Sequence, residues 1–171
     1  MSLQIDLTFD DTTYRHYTNG FLTVMHCHHY MTLATRLAEQ FSDLGGERIL
    51  AESAEDALRP LLDDYIQKHG ISDPDERLKI GQEYYAAIGM GKMAASGDSH
   101  SGSVTLTHSH IDQGWVMKWG ERPTPMNYWT QGYIAAMFGA AFDKPPRSFA
   151  VEERESLVSG APHSTFLVTA K

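Results

Sequence analysis

Nine histidines are the residues of this 171-residue chain whose spacing is best suited to chemistry. Three of them lie in residues 26–30, beside the single cysteine, Cys27. On a helix, His26 and His29 would share one face and could bind one transition-metal ion. The same two rings could instead be core residues bonded to buried polar groups, or could contact a bound ligand. A Cys27 nucleophile is a further alternative, but it needs a base and an oxyanion site that adjacency in sequence does not supply.

A second pair, His108 and His110, ends a segment in which apolar and polar residues alternate. Alternation predicts a β-strand, which would place both rings on one face, roughly 7 Å apart. That spacing suits chelation of one metal ion, and it also suits an exposed or pocket-lining face. Together with His26 and His29, the pair predicts a zinc or iron site, which the carboxylate of Asp112 could complete.

Large aromatic side chains form the third group of candidates. They are either ordinary core residues or the lining of an apolar cavity, because ligand pockets are mostly apolar with a few placed polar groups. The predicted ligand-binding residues combine three histidines with five of these aromatic residues: His26, His29, Tyr84, His108, Trp115, Trp119, Trp129 and Tyr133.

The elements that must position these residues can be predicted from periodicity. Alternation over residues 3–9 and an Asn19-Gly20 turn signal predict a short N-terminal strand or hairpin. Apolar residues at steps of three and four predict a helix over residues 21–41. A second helix is predicted over residues 54–66, with Pro60 kinking or restarting it.

Asp73 and Pro74 have the residue types of a helix N-cap and first turn, so a third helix is predicted to start there. Residues 1–90 therefore hold a strand or hairpin and helices. Residues 91–171 are predicted to form a strand, a small-residue helix and two further strands. This order predicts a single α+β domain, an antiparallel sheet with helices packed on one face.

Charge and composition limit the partners. The net charge of −8 argues against nucleic acid, whose phosphates require a basic face. A single cysteine excludes an internal disulfide and indicates a reducing, cytoplasmic setting. The most apolar window, residues 133–142, is far shorter than the roughly 20 residues of a membrane-spanning helix. We therefore expect no membrane span.

The C-terminal part of the chain resembles the 4-vinyl reductase domain family, which includes hydrocarbon-binding proteins and sensor domains of phenol-responsive regulators. That family shares its fold with nitric-oxide-binding domains and TRAPP subunits. The residues that carry the resemblance are Gly132-Tyr133 with the small residues after them, Phe142-Asp143-Lys144, Glu153, Gly160 and Phe166.

Many members of that family bind zinc through three cysteines and a glutamate. The glutamate position is Glu153 here, but Asn127, Ser156 and Ser164 replace the cysteines. Because thiolates hold zinc in such a site, we expect it to be absent, with the neighbouring His163 as the one residue that could substitute.

The resemblance implies a cavity between the helices and the sheet, with the Gly132 helix as one wall. It also implies a homodimer. The expected function is binding of a small hydrophobic or aromatic molecule by a sensor or carrier domain. One alternative is a metal-dependent or reductase-like enzyme that uses the histidine cluster, and another is an assembly module, as for the TRAPP relatives.

Overall fold

A computed structural model describes residues 2–24 and 26–171. Met1 and Met25 lie outside the described residues, and Met25 falls within the helix predicted over residues 21–41. The elements in chain order are β1 Leu7–Asp10, β2 Arg15–Thr18, β3 Phe21–Thr23, α1 His28–Gln40, α2 Gly46–Lys68, α3 Pro74–Ala87, β4 Gly91–Gly97, β5 Ser101–Ser109, α4 His110–Trp119, α5 Tyr128–Ala141, β6 Phe149–Glu155 and β7 Ser164–Ala170.

In place of the predicted N-terminal strand or hairpin, the chain forms a three-stranded antiparallel sheet of order β1-β2-β3. The left-handed conformations of Asn19 and Gly20, with φ of 50° and 83°, return the chain from β2 to β3. The predicted start of the first helix is wrong, because Phe21–Thr23 form strand β3 and pair with β2 after this turn. The helix begins at His28, so Leu22 and His26 lie outside it.

The second helix is longer than predicted. α2 starts at Gly46 and continues through Pro60 to Lys68 without a break. Gly46 must be a glycine, since a Cβ atom there would lie 2.1 Å from the backbone oxygen of Ala38. The third helix starts as predicted, with the Asp73 carboxylate accepting a hydrogen bond from a backbone N–H in the first turn of α3.

The main sheet is antiparallel, with strand order β4-β5-β7-β6. Val104 and Leu106 on β5 are buried on one face beside Phe166 and Val168 on β7. Helices α3 and α5 pack against this sheet, whereas Leu167 on its other face is exposed. The fold class is therefore α+β, as predicted. Helix α4, which follows β5 directly, was not predicted.

Helix α5 is the centre of the core. Apart from Gln131, its residues are apolar or small on every side, which is typical of a helix that is buried over most of its length. Gly132 allows α5 to lie directly on α2, because a Cβ atom there would be 2.0 Å from the backbone oxygen of Ala51. Within the described part of the chain, no helix is long and apolar enough to cross a membrane.

Candidate functional site

The structure separates His108 from His110. Strand β5 ends at Ser109, and His110 is the first residue of α4. An irregularity between Lys92 and Met93 also shifts the register of β4 against β5. As a result Ser109 is buried and His108 is exposed. The prediction that both histidines extend from one strand face is wrong, because a bulge and a helix start interrupt the alternation.

A different set of histidines meets near the start of α1. The ring centroids of His26 and His28 lie 5.6 Å and 6.1 Å from that of His110, and the ring centroid of His29 lies 4.1 Å from that of His28. Across residues 2–24 and 26–171, no three His, Cys, Asp or Glu side chains are grouped so that they could hold a metal ion. The structure therefore does not assemble the metal site predicted from His26, His29, His108 and His110.

The electrostatics of this cluster favour a neutral His110. Burial lowers its pKa, and the neighbouring His26 and His28 lower it further, while a hydrogen bond to the Cys27 backbone opposes the shift. The Nε2 atom of His110 is buried and has no hydrogen-bond partner among the described residues. Cys27 is exposed. The cluster can thus offer an uncharged imidazole.

Most of the predicted aromatic ligand residues form core. Tyr84 and Tyr133 are buried, and the Tyr133 hydroxyl donates to the backbone oxygen of Gly81 at 2.6 Å. Trp129 stacks on Tyr133 with ring centroids 5.9 Å apart. Both Trp129 and Tyr133 also pack against the ring of Tyr85 on α3.

The two tryptophans of α4 lie together near the surface. Their ring centroids are 4.5 Å apart. Trp115 is buried beneath the guanidinium of Arg122, which lies 4.8 Å from its ring, whereas Trp119 is exposed. Their spacing of four residues places both rings on one side of α4, a helix that the periodicity does not predict.

Two cavities lie beside helix α2. The first, of about 380 Å³, lies between α2, α5 and β6 and is lined by Glu47, Arg48, Ala51, Glu52, Glu55, Tyr128, Gln131, Gly132, Ala135, Arg147, Phe149, Ala150, Val151 and Lys171. The second, of about 490 Å³, is bounded by residues of α2, α3 and α5, most of them polar. None of the eight predicted ligand residues lines either cavity, but the Gly132 helix forms one wall of the first.

Charges around the first cavity are largely paired. The Arg147 guanidinium donates to Glu55 Oε2 and Asp56 Oδ2, both at 2.6 Å, and its backbone N–H donates to Glu55 Oε1 at 2.8 Å. These carboxylates raise the pKa of Arg147. The Gln131 side chain, by contrast, makes no hydrogen bond within the described residues. Its amide is therefore free to contact a molecule in the cavity.

A buried polar cluster includes Asn127, Ser164 and Glu153, three of the positions compared above with a zinc site. The Asn127 side-chain amide donates to Asp112 Oδ1 at 3.1 Å and to Ser109 Oγ at 3.2 Å. The Ser164 hydroxyl donates to Asp112 Oδ2 at 3.0 Å, and the Asn127 backbone N–H donates to Glu153 Oε2 at 3.0 Å. We call these five residues the polar network. It joins α4, α5, β6 and β7.

The polar network does not suit zinc. Asn127 presents N–H donors toward Asp112, where a zinc site would present a thiolate or imidazole. His163, the one residue that could have substituted, is exposed. Burial, and then the charge of Asp112, raise the pKa of Glu153 to about 7, and burial also raises the pKa of Asp112. Glu153 Oε1 is buried without a hydrogen-bond partner within the described residues.

The sequence predicts Asp112 only as a possible metal ligand, and Ser109 is not among the predicted site residues. A signal was present, because Ser109 and Asp112 have the three-residue spacing of a helix-capping pair. The Ser109 hydroxyl does accept the Asp112 backbone N–H at 3.1 Å. Reading that spacing as a helix start would have placed α4 and separated His108 from His110.

The absence of thiolates leads to a prediction about metal dependence. We expect a strong chelator to leave the thermal unfolding midpoint of the purified protein unchanged, because the polar network holds its segments through hydrogen bonds. Combining Asn127→Cys, Ser156→Cys and Ser164→Cys should create stoichiometric zinc binding, measured by elemental analysis, since thiolates select zinc. Asn127→Cys alone is the control. A chelator-sensitive wild-type midpoint would contradict the prediction.

No family model and no curated protein matches the sequence of this chain. Solved structures show its fold. A crystal structure of the phenol-responsive sensory domain of the transcription activator PoxR with phenol matches with a TM-score of 0.79 at 13% identity, covering 96% of this chain and 84% of that one. A trafficking protein particle complex subunit 3 from Naegleria fowleri, covalently bound to palmitic acid, matches with a TM-score of 0.51 at 12% identity, covering 83% of this chain and 95% of that one. The chain therefore shares its fold with the sensory domain of PoxR.

Proposed function

We propose that this chain binds a small hydrophobic or aromatic molecule as a sensor or carrier domain. The observation that supports it best is the fold shared over 96% of the chain with a sensory domain whose structure contains phenol. A second protein of similar fold carries palmitic acid. Both bound molecules are largely apolar, and their chemistry gives the class of ligand that we propose here.

The cavity between α2, α5 and β6 is the proposed binding place. Its volume of about 380 Å³ lies within the range of small-molecule pockets. Ala51, Ala135, Phe149 and Val151 supply apolar wall, and the side-chain amide of Gln131, which makes no hydrogen bond within the described residues, supplies a polar contact. In this proposal Gln131 takes the role that the sequence had suggested for histidines.

Filling the cavity should weaken ligand binding. Ala135 lines the cavity, so Ala135→Leu should reduce affinity for phenol or for a medium-chain fatty acid by at least tenfold, measured by calorimetry or ligand-observed NMR. The matched control is Ala87→Leu, the same change at an exposed position of α3. If wild-type protein binds neither probe, the proposed function fails. If Ala135→Leu binds as wild type does, the ligand lies elsewhere.

We include a homodimeric state and a cytoplasmic location in this proposal. The exposed apolar face of helix α1 supports the homodimeric state. The same face favours an assembly role as the second candidate function. Support for the cytoplasmic location is the single, exposed and unpaired Cys27, which is typical of proteins from a reducing compartment.

A further inference from the structure

His110 has one ring nitrogen whose hydrogen-bonding capacity is not used. Its Nε2 atom is buried and has no partner among the described residues. The ring also forms a hydrogen bond with the Cys27 backbone, and this bond raises the pKa of His110. The ring is therefore the donor to the Cys27 carbonyl, through Nδ1, since Nε2 has no partner. In the neutral ring, Nε2 is then the nitrogen without a proton, and it can only accept.

An imidazole held in this way has the arrangement of a metal ligand. A histidine that binds a metal ion usually donates its other ring N–H to a carbonyl or a carboxylate, which fixes the tautomer and the direction of the free nitrogen. The contact between His110 and Cys27 has that form. Burial and two neighbouring imidazoles lower the pKa of His110. The ring is thus unprotonated at neutral pH, as metal binding requires.

His26 lies where a second ligand is needed. Its ring centroid is 5.6 Å from that of His110. Zinc–nitrogen bonds of about 2.0–2.1 Å place the centroids of two imidazoles that share one ion roughly 5–6.5 Å apart. Because a metal–nitrogen bond is shorter than a hydrogen bond to water, an ion fits beside a nitrogen that water does not reach. His26 is exposed, so its side chain can rotate to admit the ion.

We propose that Nε2 of His110 and the ring of His26 bind one divalent transition-metal ion of the zinc and copper type, with water as the remaining ligands. Imidazole suits both of these ions. The site has only two protein ligands, so it agrees with the absence of any metal-binding group of three within the described residues. It differs from the site predicted from the sequence, because His29 and His108 take no part. A site with two protein ligands exchanges its ion readily, so it fills when the ion is supplied.

A bound ion would join two separate parts of the chain. His26 lies in the segment between β3 and α1, and His110 is the first residue of α4. The two helices already pack closely, since a Cβ atom at Gly114 would lie 2.6 Å from the Cβ of His28. The ion would therefore hold the start of α1 on α4. None of these residues lines the cavity between α2, α5 and β6, so the inference does not depend on the proposed ligand.

The test is calorimetric titration with zinc of protein first dialysed against a chelator and then against plain buffer. Wild type should bind one ion per chain. His26→Ala and His110→Asn should each weaken binding by at least tenfold. Asparagine lacks an equivalent of Nε2 but keeps a side-chain N–H that can donate to Cys27. The matched control is His29→Ala, the same change at an exposed ring beside His28, and it should bind zinc as wild type does.

Copper gives a second measurement. The electron paramagnetic resonance spectrum of the Cu²⁺ protein should show two bound imidazole nitrogens for wild type and one for either variant.

Three results would overturn the inference. They are a wild-type protein that binds no zinc, a folded His110→Asn protein that binds zinc as wild type does, and a loss of binding in His29→Ala equal to that in His26→Ala. Should His110→Asn fail to fold, His26→Ala decides, because His26 is exposed and its unchanged affinity would exclude the site. Phenol binding by His26→Ala separates failure of this site from failure of the proposed ligand function.

Discussion

Replacing Gly132 with alanine is expected to lower the free energy of unfolding by about 3 kcal/mol. The new Cβ atom would lie 2.0 Å from the backbone oxygen of Ala51 and 2.9 Å from the Cβ of Ala54. Because backbone atoms of α2 cannot rotate away as a side chain would, the two helices must separate. The gain of up to about 1 kcal/mol in helix propensity from glycine to alanine does not offset that strain.

The matched control for this change is Gly81→Ala, also inside a buried part of a helix. Its Cβ atom would meet only the Met137 side chain, at 2.4 Å from Cγ and 2.7 Å from Sδ. Methionine has several rotatable bonds and can repack, so the expected loss is about 1 kcal/mol. The free energy of unfolding of both variants is measured by denaturant titration. The comparison requires that each variant and wild type have the same dependence of that free energy on denaturant concentration. A Gly132→Ala protein as stable as wild type would show that α2 and α5 are not held at this distance.

The second large effect is a dependence of stability on pH that originates at Glu153. Its pKa is raised from 4.5 to about 7 by burial and by the charge of Asp112. Between these pH values the folded chain keeps a proton that the unfolded chain has released. The free energy of unfolding therefore falls as pH rises through this window, by about 3 kcal/mol in total, and below pH 4.5 the group contributes no further change.

Glu153→Gln isolates this contribution. An amide keeps an acceptor for the Asn127 backbone N–H but carries no charge, so the variant should lose the decline between pH 5 and pH 8 that wild type shows. It should also exceed wild type in stability at pH 8. The control is Glu152→Gln, an exposed neighbour paired with Arg154, whose pH curve should match wild type. Parallel curves for wild type and Glu153→Gln would rule out Glu153 as the titrating group.

Sequence signals predict those elements that are determined by residues close to one another in the chain. The Asp73 cap and the apolar pattern of α5 were sufficient, because helix starts and a fully apolar helix follow from short-range rules. The start of α1 was missed because pairing with β2 prevailed over helical periodicity. His110 was assigned to the wrong face because the alternation could not reveal a bulge or a helix start.

The candidate site was less predictable, since it depends on residues distant in sequence. The cavity joins Ala51, Gln131 and Arg147 from three different elements. No spacing rule connects such positions. The aromatic residues were recognised, but whether rings line a cavity or fill one is decided by packing in three dimensions.

The polar network lies where the positive ends of two helix dipoles meet. Helices α4 and α5 both begin at it, capped by Ser109 and Asn127. Each helix N-terminus carries roughly half a positive charge, so two of them supply about one unit beside the carboxyl groups of Asp112 and Glu153. Backbone N–H groups of both helices point at this region, with Asn127 bonded directly to Glu153. Two converging helix dipoles thus provide, from the polypeptide itself, part of the compensation that a cation would give to a buried pair of acids.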